Sequence, residues 1–481
     1  MIQNIWIIFF LLFHFVGISQ PDVEVIINNY LNQIRHNPAQ LRLFFQHMPK
    51  GGDLHHHYSG SIYGETYLES IEKDNLWVNI ETFEIGKDPT VLQEKSNWFR
   101  ISYLKENGSW NNIKEELLRI WSIKDYTTCS HLPKDQHFFK TFVNFAIPSN
   151  SHFVTGLNEL KVRAQNENLQ YIETMFTMVP FEEANSFSLD YNLVLQKLQS
   201  ERSASIQDSL KALSAIYLLD PNFEKSILKH NSFVDSVHQG IDDNSFTMRY
   251  QNYVLRVIPP TAIFKSLLAA FASASTSELI VGVNIVAPEN NTTSMNDYWL
   301  HMQMFKCCSK LFPKVKYAMH AGELILGLVK PEDLSWHIQA ALEIAGAQRI
   351  GHGVDIMYET NALKILDYMK EHNIAIEINL TSNEFMLGIK GYEHPITIYE
   401  KKGVPIVISS DDAGGFRSDL TQQYVLLANR YTKMDYGVIK RYVFNGIEYS
   451  FLENEVKTTI LKKLKLDFEV FENFVLKEIL D

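Results

Sequence analysis

Residues Tyr317–Glu323 read Tyr-Ala-Met-His-Ala-Gly-Glu, an apolar, strand-like run that ends in a histidine, two small residues and a carboxylate. A metal ligand beside a proton-transfer acid needs both groups on a tight turn that a substrate can approach. A lone histidine and glutamate near a strand end are more often polar residues that leave a core. The stretch therefore indicates the rim of an active site if other strands of the chain end in the same way.

Seven more strand-like runs are spread along the chain, and most of them alternate with helical patterns. They are mostly continuous apolar runs, which are typical of strands buried on both faces. Together with Val315–His320, they are a short strand within Met48–Gly60, Leu169–Met175, Thr247–Val257, Leu279–Val286, Arg349–Gly353, Ile374–Asn379 and Pro405–Ser410. Eight such strands with intervening helices predict an α/β fold, a (β/α)8 TIM barrel.

The helical patterns lie between these strands and at both ends of the chain. The predicted helices are Val23–His36, Ser151–Asn168, a stretch that ends near His238, Thr261–Ser275, Tyr298–Leu311, Pro331–Ala345, Ala362–Asn373 and Ile396–Lys402. Residues 65–145 supply no clear barrel unit, which predicts a helical insertion after strand 1, near the mouth of the site. From Tyr436 onward, Lys, Leu and Glu at helical spacing predict C-terminal closing helices. Residues 20–481 are therefore interpreted as one barrel domain.

Composition limits the classes of function. The chain has 481 residues, of which 46% are hydrophobic, and this suits a single large barrel with insertions. The net charge of -12 argues against binding to nucleic acid and against a polybasic membrane surface, so a small-molecule substrate fits better. Three cysteines, Cys129, Cys307 and Cys308, are too few for a disulfide framework and are interpreted as buried apolar side chains.

The N-terminus predicts export. Ile5–Val16 is an apolar run, and the small residues Gly17 and Ser19 follow it at the positions that a signal peptidase inspects. We therefore expect residues 1–19 to be a signal peptide and the protein to be periplasmic or extracellular, with no stable membrane insertion after processing. No Lys or Arg precedes the run, so an uncleaved anchor or a buried first helix is the alternative.

Polar side chains collect where the predicted strands end. His55 and His57 are two residues apart on the first strand and share a face, whereas His56 points elsewhere. Later strands end in His320 and Glu323, in Gly351-His352-Gly353, and in Ser409-Ser410-Asp411-Asp412. The carboxyl ends of all strands of a parallel barrel lie on one face, so these groups can meet. Three imidazoles and one carboxylate make a mononuclear zinc site with an open position for water.

Four motifs in this order resemble the adenosine deaminase family of the metal-dependent amidohydrolase superfamily. They are Leu54-His55-His56-His57, His320-Ala321-Gly322-Glu323, Gly351-His352-Gly353 and Ser410-Asp411-Asp412. The segments 323–334 and 394–405, the second of which begins with His394-Pro395, are similar to the longer, secreted-type bacterial members and their growth-factor-like relatives. The resemblance extends from about Met48 to Leu427.

The resemblance implies a reaction and the residues that perform it. It implies that His55, His57, His320 and Asp411 bind one Zn²⁺ per chain, and that Glu323 is the acid that protonates the purine ring. It further implies that His352 orients or deprotonates the metal-bound water and stabilises the addition intermediate, and that Asp412 is a catalytic and substrate-binding residue on the imidazole side of the purine. The implied reaction is hydrolytic deamination of adenosine, and of 2'-deoxyadenosine, to inosine and ammonia.

The implied substrate contacts are less regular than the implied metal ligands. They fall at His57, Ser59, Ala287, Gly322 and Asp412. Ser59 stands where many family members have an aspartate that binds the ribose, and Ala287 stands where they have a glycine, followed here by Pro288.

Several alternatives therefore stay open. The substrate could be another 6-aminopurine nucleoside, or a nucleotide such as AMP, although only Arg417 lies near a motif to bind a phosphate. The chain could also be a catalytically silent extracellular protein that binds nucleosides, like a growth factor. A second metal ion would need a bridging lysine or carboxylate, and residues 283–287 supply neither. The oligomeric state is open as well.

Overall fold

The computed structural model describes residues 23–88, 97–127, 132–184 and 190–480. A parallel sheet with the expected strand order is the main feature of the fold. The predicted signal peptide over residues 1–19 and Cys129 lie outside these ranges. The strands, numbered β1 to β11 in chain order, are Gly52–His57, Trp77–Asn79, Ile85–Gly86, Trp98–Arg100, Tyr171–Met175, Thr247–Leu255, Ile280–Val286, Lys316–Ala321, Arg349–His352, Ala375–Ile378 and Ile406–Ile408.

Eight of these strands form the barrel, in the order β1-β5-β6-β7-β8-β9-β10-β11, with every neighbouring pair parallel. The two edge strands meet near their carboxyl ends, where the Asp411 amide donates to the His55 carbonyl at 2.9 Å and the His57 amide donates to the Asp411 carbonyl at 3.2 Å. The eight strands and the helices around them confirm the predicted (β/α)8 barrel.

Helices surround the barrel, and amphipathic patterns explain them. Pro260–Ala274, for example, begins with proline, whose fixed φ suits the first helical position. It buries Ile263, Leu267 and Phe271, which are spaced by four residues and lie on one face. Burial of each such side chain contributes about 1.5 to 3 kcal/mol. The other barrel helices are Phe153–Asn166, Tyr191–Ser200, Ile206–Leu218, Phe223–His238, Thr292–Leu311, Ala362–Glu371, Leu380–Leu387 and Ile396–Lys402.

Further helices lie at both ends of the chain. Val23–Ile34 and Pro38–His47 precede the barrel, and Leu420–Arg430, Tyr436–Glu448 and Asn454–Leu480 follow it. Asn445 donates a side-chain hydrogen bond to the carbonyl of Ile406 in β11 at 2.8 Å, which ties the C-terminal helices to the barrel. No helix within the described ranges is long and apolar enough to span a bilayer. Cys307 and Cys308 are buried side chains of Thr292–Leu311.

The segment after β1 is only partly helical. Its helices are Tyr58–Ser61, Gly64–Lys73, Ile101–Glu106, Trp110–Ile120, Lys134–Asn144 and Ala146–Ser149. A three-stranded sheet of order β3-β2-β4 also lies there, which the sequence pattern did not predict. Its strands are two or three residues long, too short to show an alternating pattern. Helix Lys134–Asn144 packs on the barrel mouth, where the Phe138 ring stacks on Phe416 at 4.1 Å between centroids.

The predicted helix Pro331–Ala345 is interrupted. The structure has a 3-10 turn over Pro331–Ser335, a short α-helix over His337–Ala340 and a π-turn over Ala341–Ala345. Trp336, with φ of -159°, breaks the helical path between the first two segments. The Glu359 carboxylate accepts hydrogen bonds from the Ile338 amide at 2.5 Å and the Gln339 amide at 3.3 Å. These bonds satisfy backbone N–H groups at the start of the short α-helix His337–Ala340, which have no partner within that helix.

Candidate active site

Four predicted metal ligands meet at the carboxyl end of the barrel. His55 and His57 come from β1, His320 comes from β8, and Asp411 follows β11. Nε2 of His57 lies 3.2 Å from Nε2 of His320 and 3.3 Å from Oδ1 of Asp411. Nε2 of His55 lies 3.6 Å from the same aspartate oxygen. Two sets keep their ligand atoms within 4.8 Å of one another: His55, His57 and Asp411, and His55, His320 and His352.

Hydrogen bonds and burial leave the imidazoles ready to bind a cation. Nδ1 of His55 bonds to the Glu377 carboxylate at 2.7 Å, and Nδ1 of His320 bonds to the Asn284 side-chain oxygen at 3.1 Å. Both bonds place the ring proton on Nδ1 and leave Nε2 with a lone pair. Burial lowers the pKa of His55 to about 3 and lowers the pKa of His57 and His320 well below the usual range, so these rings are neutral. The buried Nε2 of His55 has no hydrogen-bond partner among the described residues. The set therefore fits a divalent cation.

The central histidine, His56, points away from this cluster. Its Nδ1 bonds to Thr174 Oγ1 at 2.9 Å, on the neighbouring strand β5. The glycine of the Gly351-His352 motif packs against His55 from the other side, since a Cβ at Gly351 would lie only 2.6 Å from Cε1 of the His55 ring. The small residue therefore leaves room for a metal-ligating ring.

A buried ion-pair chain supports His55 from inside the barrel. Arg349 pairs with Glu377 at 2.5 Å and with Glu173 at 2.6 Å, and all three side chains are at most 1% exposed. The second oxygen of Glu377 accepts the His55 ring at 2.7 Å. Because each charge has a partner, the network holds the Glu377 carboxylate, and through it the His55 ring, in one orientation.

Three of the four predicted ligands, His57, His320 and Asp411, line a cavity of about 200 Å³. Its lining is mainly apolar on one side and carries the predicted catalytic groups on the other. The lining residues are His57, Ser59, Phe138, Phe139, Phe142, Met175, Tyr253, Leu255, Val286, Ala287, Pro288, His320, Glu323, His352, Ser382, Asp411 and Asp412. Such a lining can hold a flat, apolar ring with a few polar edges.

Glu323 and Asp412 are the acids of this cavity. Burial, and then the negative charges of Asp411 and Glu289, raise the pKa of Glu323 well above its usual range, which favours the protonated form of this carboxyl group. Asp412 Oδ1 is buried without a hydrogen-bond partner among the described residues. It packs so closely on Gly60 that a Cβ at this position would collide with the carboxyl group. The cavity thus combines a proton donor with a polar atom free to meet a ligand.

The predicted substrate positions are only partly brought together. His57, Ser59, Ala287 and Asp412 line the cavity, whereas Gly322 is not among its described lining residues. The Gly322 amide instead donates to Glu289 at 3.2 Å, so this backbone donor is already satisfied. Ala287 has φ of 83°, in the left-handed region that favours glycine.

Several contributing residues were missed from the sequence. Glu377 and Asn284 orient the rings of His55 and His320, and each is a lone polar residue inside an apolar strand, a signal that could have marked them. Phe138, Phe139 and Phe142 line the cavity from helix Lys134–Asn144. Their helical spacing was visible, but it does not distinguish a cavity wall from an ordinary core face.

Comparisons with known proteins agree with this geometry. The sequence model of the family described as "Adenosine deaminase" matches residues 219–466, more than half of the chain. Adenosine deaminase from Clostridium perfringens is 24% identical over 423 residues, which cover 86% of this chain and 96% of that protein. Adenosine deaminase from Clostridium kluyveri is 25% identical over 407 residues, which cover 84% of this chain and 90% of that protein.

Solved structures share the fold. The structure of adenine deaminase from Arthrobacter aurescens aligns with a TM-score of 0.56 and 14% identity, over 88% of this chain and 99% of that one. The apo structure of N6-methyl-AMP deaminase from Arabidopsis thaliana gives 0.55 and 17%, over 88% and 98%. An amidohydrolase from Burkholderia ambifaria with bound Zn gives 0.53 and 12%, over 91% and 94%. Family model, fold and strand-end motifs agree: the chain belongs to the adenosine deaminase family and is a hydrolytic deaminase.

Proposed function

We propose that the protein is a zinc-dependent enzyme that deaminates adenosine and 2'-deoxyadenosine to inosine and ammonia. The observation that carries this proposal is the convergence of His55, His57, His320 and Asp411 beside the cavity that Glu323 lines. Three imidazoles and a carboxylate suit Zn²⁺. When bound there, the cation supplies Lewis-acid activation of a water molecule.

Glu323 is the acid of the proposed reaction. It donates its proton to the purine ring nitrogen beside the carbon that bears the amino group, which makes this carbon electrophilic. The oxygen of water adds to the carbon, and the bond from the carbon to the amino nitrogen then breaks. One proton of the water leaves with ammonia, and the other restores Glu323. The product keeps the proton that Glu323 donated, so atoms and charges balance.

His352 and Asp412 hold the reactants in place. The His352 ring is buried at the end of β9 and lines the cavity, and its Nε2 lies 3.9 Å from Oδ2 of Asp411, a predicted metal ligand. Asp412 offers its unpartnered Oδ1 to the imidazole side of the purine. The apolar wall of Phe138, Phe139 and Phe142 excludes bulk water, which strengthens these polar interactions.

The lining favours a nucleoside over a nucleotide. No Lys or Arg is among the described residues that line the cavity. Arg417, the basic residue nearest to a motif, pairs with Glu65 at 2.8 Å outside the cavity. A phosphate brought to this cavity would lie among the carboxyl groups of Glu323, Asp411 and Asp412 and would meet no basic side chain. AMP is therefore the less favoured substrate, although solved structural relatives include an N6-methyl-AMP deaminase.

The experiment is a spectrophotometric assay of the zinc-loaded protein with adenosine, 2'-deoxyadenosine and AMP, repeated with Glu323→Gln. Gln keeps the shape of Glu but cannot deliver a proton, so turnover should fall by about 10⁴ or more while zinc content and affinity for inosine hold. Faster turnover of AMP than of adenosine would show that the substrate is a nucleotide and not a nucleoside. If the turnover of Glu323→Gln were within about threefold of that of wild type, Glu323 would not be the acid. Binding of adenosine without release of ammonia would make the protein a binder.

We further propose that residues 1–19 are removed on export and that residues 20–481 form the mature enzyme. The support is the apolar run Ile5–Val16, which is followed by the small residues Gly17 and Ser19. N-terminal sequencing of protein from the native host should find a chain that begins at or near Gln20 outside the cytoplasm. Soluble cytoplasmic protein that retains Met1 would contradict export.

A further inference from the structure

A line of hydrogen bonds runs from a backbone amide to the ring of His352. The amide of Ile396 donates to Nδ1 of His394 at 3.1 Å. Nε2 of His394 lies 3.0 Å from Oδ1 of Asn383, and Nδ2 of Asn383 lies 3.0 Å from Nδ1 of His352. The side chains of His394, Asn383 and His352 belong to residues at most 1% exposed. Water therefore does not compete for these bonds.

The first bond fixes the direction of the others. A backbone amide can only donate, so Nδ1 of His394 carries no proton and the ring has its proton on Nε2. This proton faces Asn383, which must therefore present its oxygen to His394 and its NH₂ group to His352. The NH₂ group donates to Nδ1 of His352, so that ring carries its proton on Nε2.

We propose that His394 and Asn383 are positioning residues that set the tautomer of His352, so that its Nε2–H group faces the cavity. A protonated ring nitrogen has no lone pair for a cation, which leaves His352 out of the metal-binding set. His55 and His320 have the opposite tautomer, because their Nδ1 atoms bond to the oxygens of Glu377 and Asn284. His352 is thus a hydrogen-bond donor toward the oxygen that adds to the substrate.

This arrangement also gives a role to His394-Pro395, a motif that the resemblance left without one. Asn383 and His394 are 11 residues apart, in different elements, and neither lines the cavity among the described residues. They act on the reaction only through His352. The tautomer itself does not depend on the proposed function, whereas its effect on turnover does.

Nitrogen-15 NMR of zinc-loaded wild-type protein with labelled histidine is the direct test. The His352 signals are assigned by their loss in His352→Gln. We expect a proton on Nε2 and a hydrogen-bonded, unprotonated Nδ1. A proton on Nδ1 of His352 overturns the inference. If no aminopurine is deaminated, the proposed function fails, and the NMR result still decides the tautomer.

Asn383→Asp tests the positioning role with an almost isosteric change. A carboxylate can only accept, so it should draw the His352 proton onto Nδ1 and lower turnover by about 10- to 100-fold, with zinc retained. The control is Asn252→Asp, because Asn252 is also buried and bonds to a histidine, His230, at 3.0 Å, but lies outside this line. The control should keep the His352 tautomer and turnover within about threefold. Equal losses of turnover in both variants, or an unchanged tautomer in Asn383→Asp, contradict the inference.

A pair of variants at His394 decides the matter if Asn383→Asp does not fold. His394→Gln keeps an N–H donor toward Asn383 and should preserve the His352 tautomer. His394→Leu removes that donor, frees the Asn383 amide to turn, and should give His352 a mixture of tautomers with reduced turnover. A single Nε2–H tautomer in both variants shows that His394 does not set the proton.

Discussion

Glu289 accepts the backbone N–H of Glu323 at 2.9 Å, and its other oxygen accepts the N–H of Gly322 at 3.2 Å. The carboxylate is fully buried, bonds to His337 Nδ1 at 2.7 Å and lies 3.8 Å from Arg256. His337 and Arg256 hold the pKa of Glu289 below its usual range despite burial, so it is ionised. Arg256 also donates to the carbonyl of His320 at 2.9 Å. Glu289 and Arg256 thus hold both ends of the turn that carries Glu323 through hydrogen bonds to its backbone.

Glu289→Gln should therefore weaken catalysis without removing the metal. The amide side chain keeps one acceptor oxygen and loses one of the two bonds to the turn, so Glu323 shifts relative to the substrate. We expect turnover to fall by about 10- to 100-fold with the KM for adenosine within about threefold. Steady-state kinetics and zinc analysis measure this. Glu359→Gln is the matched control, because Glu359 also accepts two backbone amides but outside the catalytic turn. A similar loss in both variants would contradict the role of Glu289.

The histidines of β1 should differ in their effect on the metal. His57→Ala removes a ligand whose Nε2 lies 3.3 Å from Asp411, and it should lose most zinc and nearly all turnover. His56→Ala removes a ring that bonds to Thr174 outside the cluster, and it should keep zinc near one per chain. Elemental analysis measures both variants. Two tightly held ions per active wild-type chain, or equal zinc loss in the two variants, would contradict this ligand set.

Ala287→Gly should stabilise the protein. Ala287 has φ of 83°, which costs an L-residue roughly 1 to 2 kcal/mol, while glycine costs about 0.5 to 1 kcal/mol in chain entropy. The expected net gain is about 0.5 to 1 kcal/mol in the free energy of unfolding, measured with urea. Ala269→Gly, inside helix Pro260–Ala274, is the control and should destabilise by about 1 kcal/mol. A loss at both positions would show that the backbone at Ala287 is not strained.

Glu359 should make stability fall as pH rises toward neutrality. Burial, and then the charges of Glu289 and Glu343, raise the pKa of Glu359 from 4.5 to about 7. The folded state then binds a proton that the unfolded state has released, so this stabilisation is complete below about pH 4.5 and is lost as pH rises through 7. The expected contribution is about 3 kcal/mol. Urea unfolding from pH 5 to 8 should show wild type losing stability relative to Glu359→Gln, because the neutral amide of the variant does not titrate. A constant difference would contradict the shifted pKa.

The cluster of predicted metal ligands was predictable because strand periodicity and barrel topology together determine which side chains share one face. Two histidines at a spacing of two must share a face of a strand, and parallel strands must bring His320 and Asp411 to the same end as His55. The sequence alone therefore predicts that these side chains lie close together.

Glu289 and Asn383, which support other groups of the site, were not predictable because their partners are distant in the sequence. Glu289 bonds to an amide 34 residues away, and Asn383 bonds to a ring 31 residues away. Neither partnership leaves a repeat in the sequence, since each depends on how two separate segments of the chain meet in space. The break at Trp336 has the same origin, because Glu359 satisfies the helix that starts after it. Helical propensity alone favoured a continuous helix there.

The wall of the cavity and its chemistry come from different parts of the chain. The proposed reacting groups lie at strand ends from His57 to Asp412, so each is tied to the geometry of the whole barrel. The aromatic wall comes from the single helix Lys134–Asn144, outside the barrel, and Phe138 joins it to the loop of Asp412 through Phe416. A few substitutions in this helix can therefore reshape what the enzyme accepts while the reaction centre stays unchanged. Substrate range can evolve in this lineage faster than mechanism.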